Sequence, residues 1–116
     1  MDKIYIFDTY QFDFMFIEHI KSLRLARNWS QEKLSIKMGV SKTFVGNVES
    51  YKQHQKYSTR HISLLAQAFE FKNLSELMKF PTPAYDEIRV TIKQTYNDRG
   101  TKIIDSEIMN IESLNK

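Results

Sequence analysis

Lys42, Thr43 and Asn47 stand close together inside the segment Trp29 to Ser50, WSQEKLSIKMGVSKTFVGNVES. Each suits the edge of a base pair: a lysine ammonium donates to guanine acceptors, a threonine adds a methyl contact for thymine to its hydroxyl, and an asparagine amide matches adenine. The charge around them is lopsided. Residues 1–20 hold four acids and one base, residues 21–60 nine bases and two acids, and residues 61–116 eight acids and seven bases, so a formal +3 for the chain conceals +7 in its middle third. Lys21, Arg24, Arg27, Lys33, Lys37, Lys42, Lys52, Lys56 and Arg60 supply that field, which attracts a polyanion and displaces its condensed counterions. On charge alone, a solvated surface with an accidental asymmetry reads equally well.

Other chemistries find no support. His19, His54 and His61 lack ligand spacing, and the adjacent Asp86 and Glu87 have no nucleophile or base in a recognisable motif. With no cysteine there is no disulfide, thiolate zinc site or thiol nucleophile. We expect no catalytic site, no metal and no cofactor. No apolar run reaches the ~18 residues of a membrane span, and Asp2, Asp8 and Asp13 sit where a secretory signal would be positive. The expected setting is soluble and cytoplasmic, without membrane association.

The elements that must position these side chains can be read from periodicity. At 116 residues and 41% hydrophobic the chain allows one modest core with an appendage. Ile17, Ile20 and Leu23 recur at helical spacing from Phe14 to Ala26, and this first helix should end near Asn28. Ser30 is placed to cap a second helix, with Glu32 in its first turn, Leu34 and Met38 buried, and Gly39 as its stop. Ser41 is of the type to cap a third, short helix that turns Val45 and Val48 inward and leaves Lys42, Thr43, Gly46 and Asn47 on other faces. After a polar loop, Ser58 or Thr59 opens a fourth helix with Ile62, Leu65, Ala66 and Phe69, and Asn73 with Glu76 resembles a capping box for a fifth. Pro81 and Pro83 end the helical region.

Two helices joined by a short glycine-bearing turn, the second polar on its outer face, form a helix-turn-helix. The arrangement has a physical purpose: the first helix of the pair lies across the second and grips phosphates, while the second enters a major groove. The segment Ile17 to Met78 resembles the XRE family, the domain of phage Cro-type repressors. The likeness rests on Ile-Lys-Ser-Leu-Arg in the first helix, Trp29-Ser-Gln-Glu-Lys-Leu opening the second and Met-Gly-Val-Ser at the turn. It continues in Val-Gly-Asn-Val-Glu of the third helix and Leu-Leu-Ala-Gln-Ala of the fourth.

The resemblance implies a five-helix domain that acts as a dimer on a two-fold site of double-stranded DNA. By its pattern Lys42, Thr43 and Asn47 read bases, and Gln31 bonds a phosphate or braces the first reading residue. Phe44 either touches a thymine methyl or packs inward. Arg27, Lys52, Lys56 and Arg60 flank the motif and are expected on phosphates, each with a merely solvated side chain as its alternative. Trp29 is expected to anchor helices one and two. Ser50-Tyr51-Lys52 stands where the family often has Arg-Gly-Lys, and the loop to helix four is about two residues longer than usual.

After Pro83 the period changes. Ile88, Val90, Ile92 and Tyr96 alternate with polar residues as in a half-buried strand, Asn97 to Gly100 is a turn signal, and Thr101 to Asp105 starts a second strand. Ser106 to Leu114 is ambiguous, because Ile108, Ile111 and Leu114 also fit a helical stripe. A hairpin across Asn97 to Arg99 would set Ile104 opposite Ile92 and Ile108 opposite Ile88. Its apolar face then needs cover: the helical domain, Ile4 to Phe7 as a further strand, or the same hairpin of a second subunit, which is the preferred reading and makes Ile88, Val90, Ile92, Ile104 and Ile108 the dimerisation set. The expected organisation is mainly α, a five-helix repressor-like helix-turn-helix domain over 12–80 with an N-terminal arm over 1–11 and a C-terminal β-hairpin appendage over 81–116. The expected function is a sequence-specific transcriptional regulator, a repressor. The alternatives are the antitoxin of a toxin-antitoxin pair, its tail holding the toxin, and a protein-interaction module without DNA binding.

Overall fold

The computed structural model describes residues 1–114. Its elements run β1 (Asp2–Tyr10), α1 (Gln11–Ala26), α2 (Gln31–Met38), α3 (Phe44–Glu49), α4 (Thr59–Ala68), α5 (Leu74–Leu77), β2 (Glu87–Tyr96) and β3 (Ile103–Ser113). They fall into two compact units, Asp13–Thr82 and a second made of Met1–Phe12 with Pro83–Lys116. The mainly α expectation is therefore corrected. The described residues are 39% helix and 26% strand, because the strand content lies in a three-stranded antiparallel sheet rather than a lone hairpin.

Within the helical unit, α1 buries Phe16, Ile20 and Arg24 at four-residue spacing, one face of a helix. Asn28, with φ 57°, turns the chain out of α1, and the Trp29 N–H closes the helix end on the Arg24 carbonyl at 3.1 Å. Ser30 caps α2 by accepting the Lys33 N–H at 3.0 Å, and Gly39 ends it in the left-handed region at φ 75°. The core joins Phe16 and Ile20 to Leu34, Val45, Leu65 and Leu77, and His19 Nε2 lies 2.8 Å from the Leu77 carbonyl.

Two caps differ from expectation. Ser41 does not cap α3, which starts later, with Thr43 at its N-terminal boundary and no side-chain cap there. The reason is local: the Phe44 N–H bonds the Ser41 carbonyl at 2.9 Å and the two hydroxyls of Ser41 and Thr43 lie 3.2 Å apart, so this stretch is a turn. At α5 the Asn73 side chain makes no cap bond, and Glu76 Oε2 accepts the Lys72 N–H at 3.0 Å instead.

In the sheet unit the strand order is β1-β2-β3. β1 pairs with β2 from Asp2↔Thr95 to Tyr10↔Glu87 without interruption. β2 buries Ile88, Val90, Ile92 and Gln94, while Arg89 on the opposite face forks onto Asp8 at 2.8 and 3.1 Å.

The expected hairpin register does not hold: Ile92 faces Ile108 and Ile88 faces Ser113. The hairpin closes at Asn97, whose N–H bonds the Lys102 carbonyl at 2.9 Å, so the loop is longer than Asn97 to Arg99, and shifts at Thr91/Ile92 and Thr95/Tyr96 move the pairing further. The ambiguous stretch after Ser106 is strand. Its helix-like spacing of Ile108 and Ile111 arises because Met109 bulges between them, which sets both on one face opposite Ile92 and Val90.

Candidate nucleic-acid interface

The start of α3 is held from three sides. Ser35, fully buried on α2, donates its hydroxyl to the Gln31 carbonyl at 2.9 Å and accepts the Val45 N–H at 3.0 Å. The first amides of a helix have no partner within it, so α2 supplies the cap that Thr43 does not. On the next turn Gly46 leaves room for Gln31: a Cβ there would lie 3.1 Å from Gln31 Oε1. Gln31 Nε2 then donates to Glu49 Oε1 at 3.0 Å.

Glu49 ends α3 in a buried ion pair. Arg24 grips it with Nε and a terminal nitrogen at 2.9 and 2.8 Å and gives its other terminal nitrogen to the Trp29 carbonyl at 2.7 Å. The two charges are buried, but both carboxylate oxygens are bonded, and three donors converge on them. Arg24 thus works inside the domain rather than in the outer field. Composition could not reveal this, although its place four residues beyond Ile20 on the buried stripe is a signal. Ser35 was also missed by sequence reasoning, since serine within a helix gives no pattern of its own.

With α3 fixed in this way, Lys42, Thr43 and Asn47 are exposed on one side of the turn and helix. Phe44 is half-buried, its ring 4.5 Å from His61 and 5.9 Å from Tyr57. His61 Nδ1 accepts the Ser58 N–H at 2.9 Å, capping α4, and burial together with neighbouring Arg60 lowers its pKa below the ordinary histidine value. Gln31 is exposed as a residue although its amide is committed to Glu49.

The flanking cations lie in different surroundings. Arg27 lies over the rings of Phe69, Phe71 and Trp29 at 4.8, 5.4 and 5.6 Å, and Lys37 approaches the Trp29 ring at 4.8 Å. Trp29 itself stacks on Phe69 at 5.2 Å and so ties the end of α1 to the end of α4. Lys56 pairs with Asp13 at 3.0 Å. Lys52 and Arg60 are exposed. Behind α1, burial raises the Glu18 pKa, and its carboxylate accepts from the Tyr51 hydroxyl at 3.2 Å.

Of the five residues expected to dimerise, Ile88, Val90 and Ile92 are fully buried in the chain, and Ile104 and Ile108 are exposed. Among the described residues no three acids or histidines gather as a metal site, and no helix is long and apolar enough to cross a membrane. A family model described as Helix-turn-helix matches residues 20–77. No curated protein and no solved structure gives a match.

Proposed function

Since the chain belongs to the XRE-type helix-turn-helix family, we propose that it is a sequence-specific transcriptional regulator, acting as a repressor, that sets α3 into the major groove of a two-fold operator. The observation that carries this is the division of α3. Its inner side is tied by Ser35, Gln31 and the Arg24–Glu49 pair, while Asn47 on the helix and Lys42 and Thr43 in the turn before it stand exposed with hydrogen-bonding groups of the kinds that base edges require. Lys52 and Arg60, exposed beyond α3, are taken as phosphate ligands together with Arg27 and Lys56. Arg27 and Lys56 would have to share their charge with the aromatic shelf and with Asp13. One such domain reads few base pairs, so useful specificity needs two of them on one site.

A gel shift of the full chain on the DNA upstream of its own gene, against random duplex of equal length, tests the reading. Selective retardation is expected; equal affinity for both would remove the regulator reading. A second reading, an antitoxin that also represses, draws on β3, whose Ile103, Ile104, Ile108, Met109 and Ile111 are all exposed. Co-purification with the product of an adjacent gene, lost on substituting those residues, would favour it.

A further inference from the structure

The sheet has two open edges among the described residues, and they are unlike. β3 carries Asp105, Glu107 and Glu112 with no base between residues 103 and 113, and its pairing is broken by two register shifts. Carboxylates and bulges are the means by which an edge is blunted against further strands. β1 is the opposite. It is 9 residues long and pairs with β2 without a shift, and its outer face shows Ile4 and Ile6 at 59% and 55% exposure.

The direction of its backbone groups follows from its two ends. The Tyr96 N–H donates to the Met1 carbonyl at 2.8 Å, and the Gln11 N–H donates to the Asp86 carbonyl at 2.8 Å. Residues of odd number therefore turn their N–H and C=O groups to β2, and by alternation Ile4, Ile6 and Asp8 turn theirs outward. An uncovered, regular and largely apolar edge is a template for another strand.

We propose that β1 pairs antiparallel with β1 of a second copy about a two-fold axis at Ile6, joining the two sheets into one. The sequence is self-complementary in that register. Ile6 meets the partner's Ile6, Tyr5 the partner's Phe7, Ile4 the partner's Asp8, Lys3 the partner's Thr9 and Asp2 the partner's Tyr10. No like charges face each other, all of β1 is used, and each pair shares a face of the sheet. An axis at Tyr5 would instead set Asp2 against the partner's Asp8, and an axis at Phe7 would leave Asp2 and Lys3 unpaired. The inference deepens the regulator reading by naming the surface that makes it two-fold. β1 passes into α1 at Gln11 without a linker, so the paired strands lead directly into the helical unit of each copy.

The chain has no cysteine, which makes the register testable. In a hydrogen-bonded antiparallel pair the Cα atoms lie ~5.5 Å apart, within the ~4.4–6.8 Å that a disulfide spans. Full-length Ile6→Cys should form a covalent dimer on mild oxidation, whereas Ile111→Cys on β3 should stay single. Sedimentation of the unmodified chain should give a dimer. Ile6→Pro removes only an outward N–H, so it should sediment as a monomer with an unchanged circular dichroism spectrum. A monomeric parent chain, a dimer that survives Ile6→Pro, or crosslinking at 111 as fast as at 6 would each overturn the assignment. If Ile6→Pro fails to fold, the paired cysteine variants decide. Operator binding is read separately: a chain that dimerises elsewhere and still binds its operator overturns this surface alone, and a chain crosslinked at 6 that binds no DNA overturns the regulator reading alone.

Discussion

Lys42→Ala removes an exposed donor from the turn before α3, Asn47→Ala removes one from the helix itself, and both leave the buried Val45 and Val48 untouched. Specific binding should weaken by about 1–3 kcal/mol with relaxed base choice at one position of each half-site, while affinity for random duplex holds. A competition titration measures both, and equal losses on the two DNAs would show that these side chains do not read bases. Arg24 and Glu49 behave otherwise, since removing either strands the other charge in the interior. Arg24→Ala or Glu49→Ala should lower stability by about 3–5 kcal/mol in urea unfolding, whereas the double replacement Arg24→Met with Glu49→Leu should lose much less. Near-zero loss in the single variants would mean that the pair is solvated. The exposure of Asn47 was legible in the sequence from helical period, whereas Lys42 and Thr43 are exposed in the turn before α3, where that period does not apply. The Arg24–Glu49 pair was not legible, because its members are 25 residues apart and meet only once α1 and α3 pack.

His61 couples pH to the same region. Its neutral Nδ1 accepts the Ser58 N–H, and protonation turns that acceptor into a donor. Burial first, then Arg60, lowers its pKa from 6.5. The folded state thus prefers neutral histidine, so its contribution to stability is full above pH 6.5, falls as pH drops through that value, and levels off below the lowered folded pKa. An NMR titration should place the His61 midpoint below that of an unfolded reference peptide, and a midpoint above it would contradict the capping role.

At the scale of the element, α3 is a short helix whose first amides depend on another helix. Ser35→Ala keeps the shape of α2 but leaves the Val45 N–H buried without its acceptor, a loss of about 0.5–2 kcal/mol by analogy with a removed cap. Hydrogen exchange at the Val45 amide should speed up and operator affinity should fall together. Unchanged exchange would show that the hydroxyl does not hold the helix. The boundaries of α2 were legible from Ser30 and Gly39, which carry their own chemistry. The boundary of α3 was not, since Ser41 is a good cap by type and only its backbone bond to Phe44 makes it part of a turn. β3 was ambiguous for a comparable reason: the bulge at Met109 replaces strand alternation with a three-residue step.

For the whole molecule, charge and architecture divide together. The unit Asp13–Thr82 carries eleven bases against six acids, while the described residues of the sheet unit carry eight acids against five bases. The attraction for a polyanion therefore belongs to the helices. The helical half was legible because its contacts are local and its motifs recur at fixed offsets. In the sheet, β2 was legible from its alternation and Ile4 to Phe7 stood among the possible further strands, but their pairing was not fixed, because β1 and β2 lie at opposite ends of the chain and Ile4-Tyr5-Ile6-Phe7 is apolar at every position and shows no period. In the proposed complex two copies of α3 read one operator in adjacent turns of the major groove. A hydroxyl-radical footprint of the full chain on its upstream DNA tests it most directly. Two protected half-sites related by a two-fold axis are expected, with centres one helical turn, ~34 Å, apart. A single asymmetric footprint bound by one chain, or protection that follows no sequence, would contradict it.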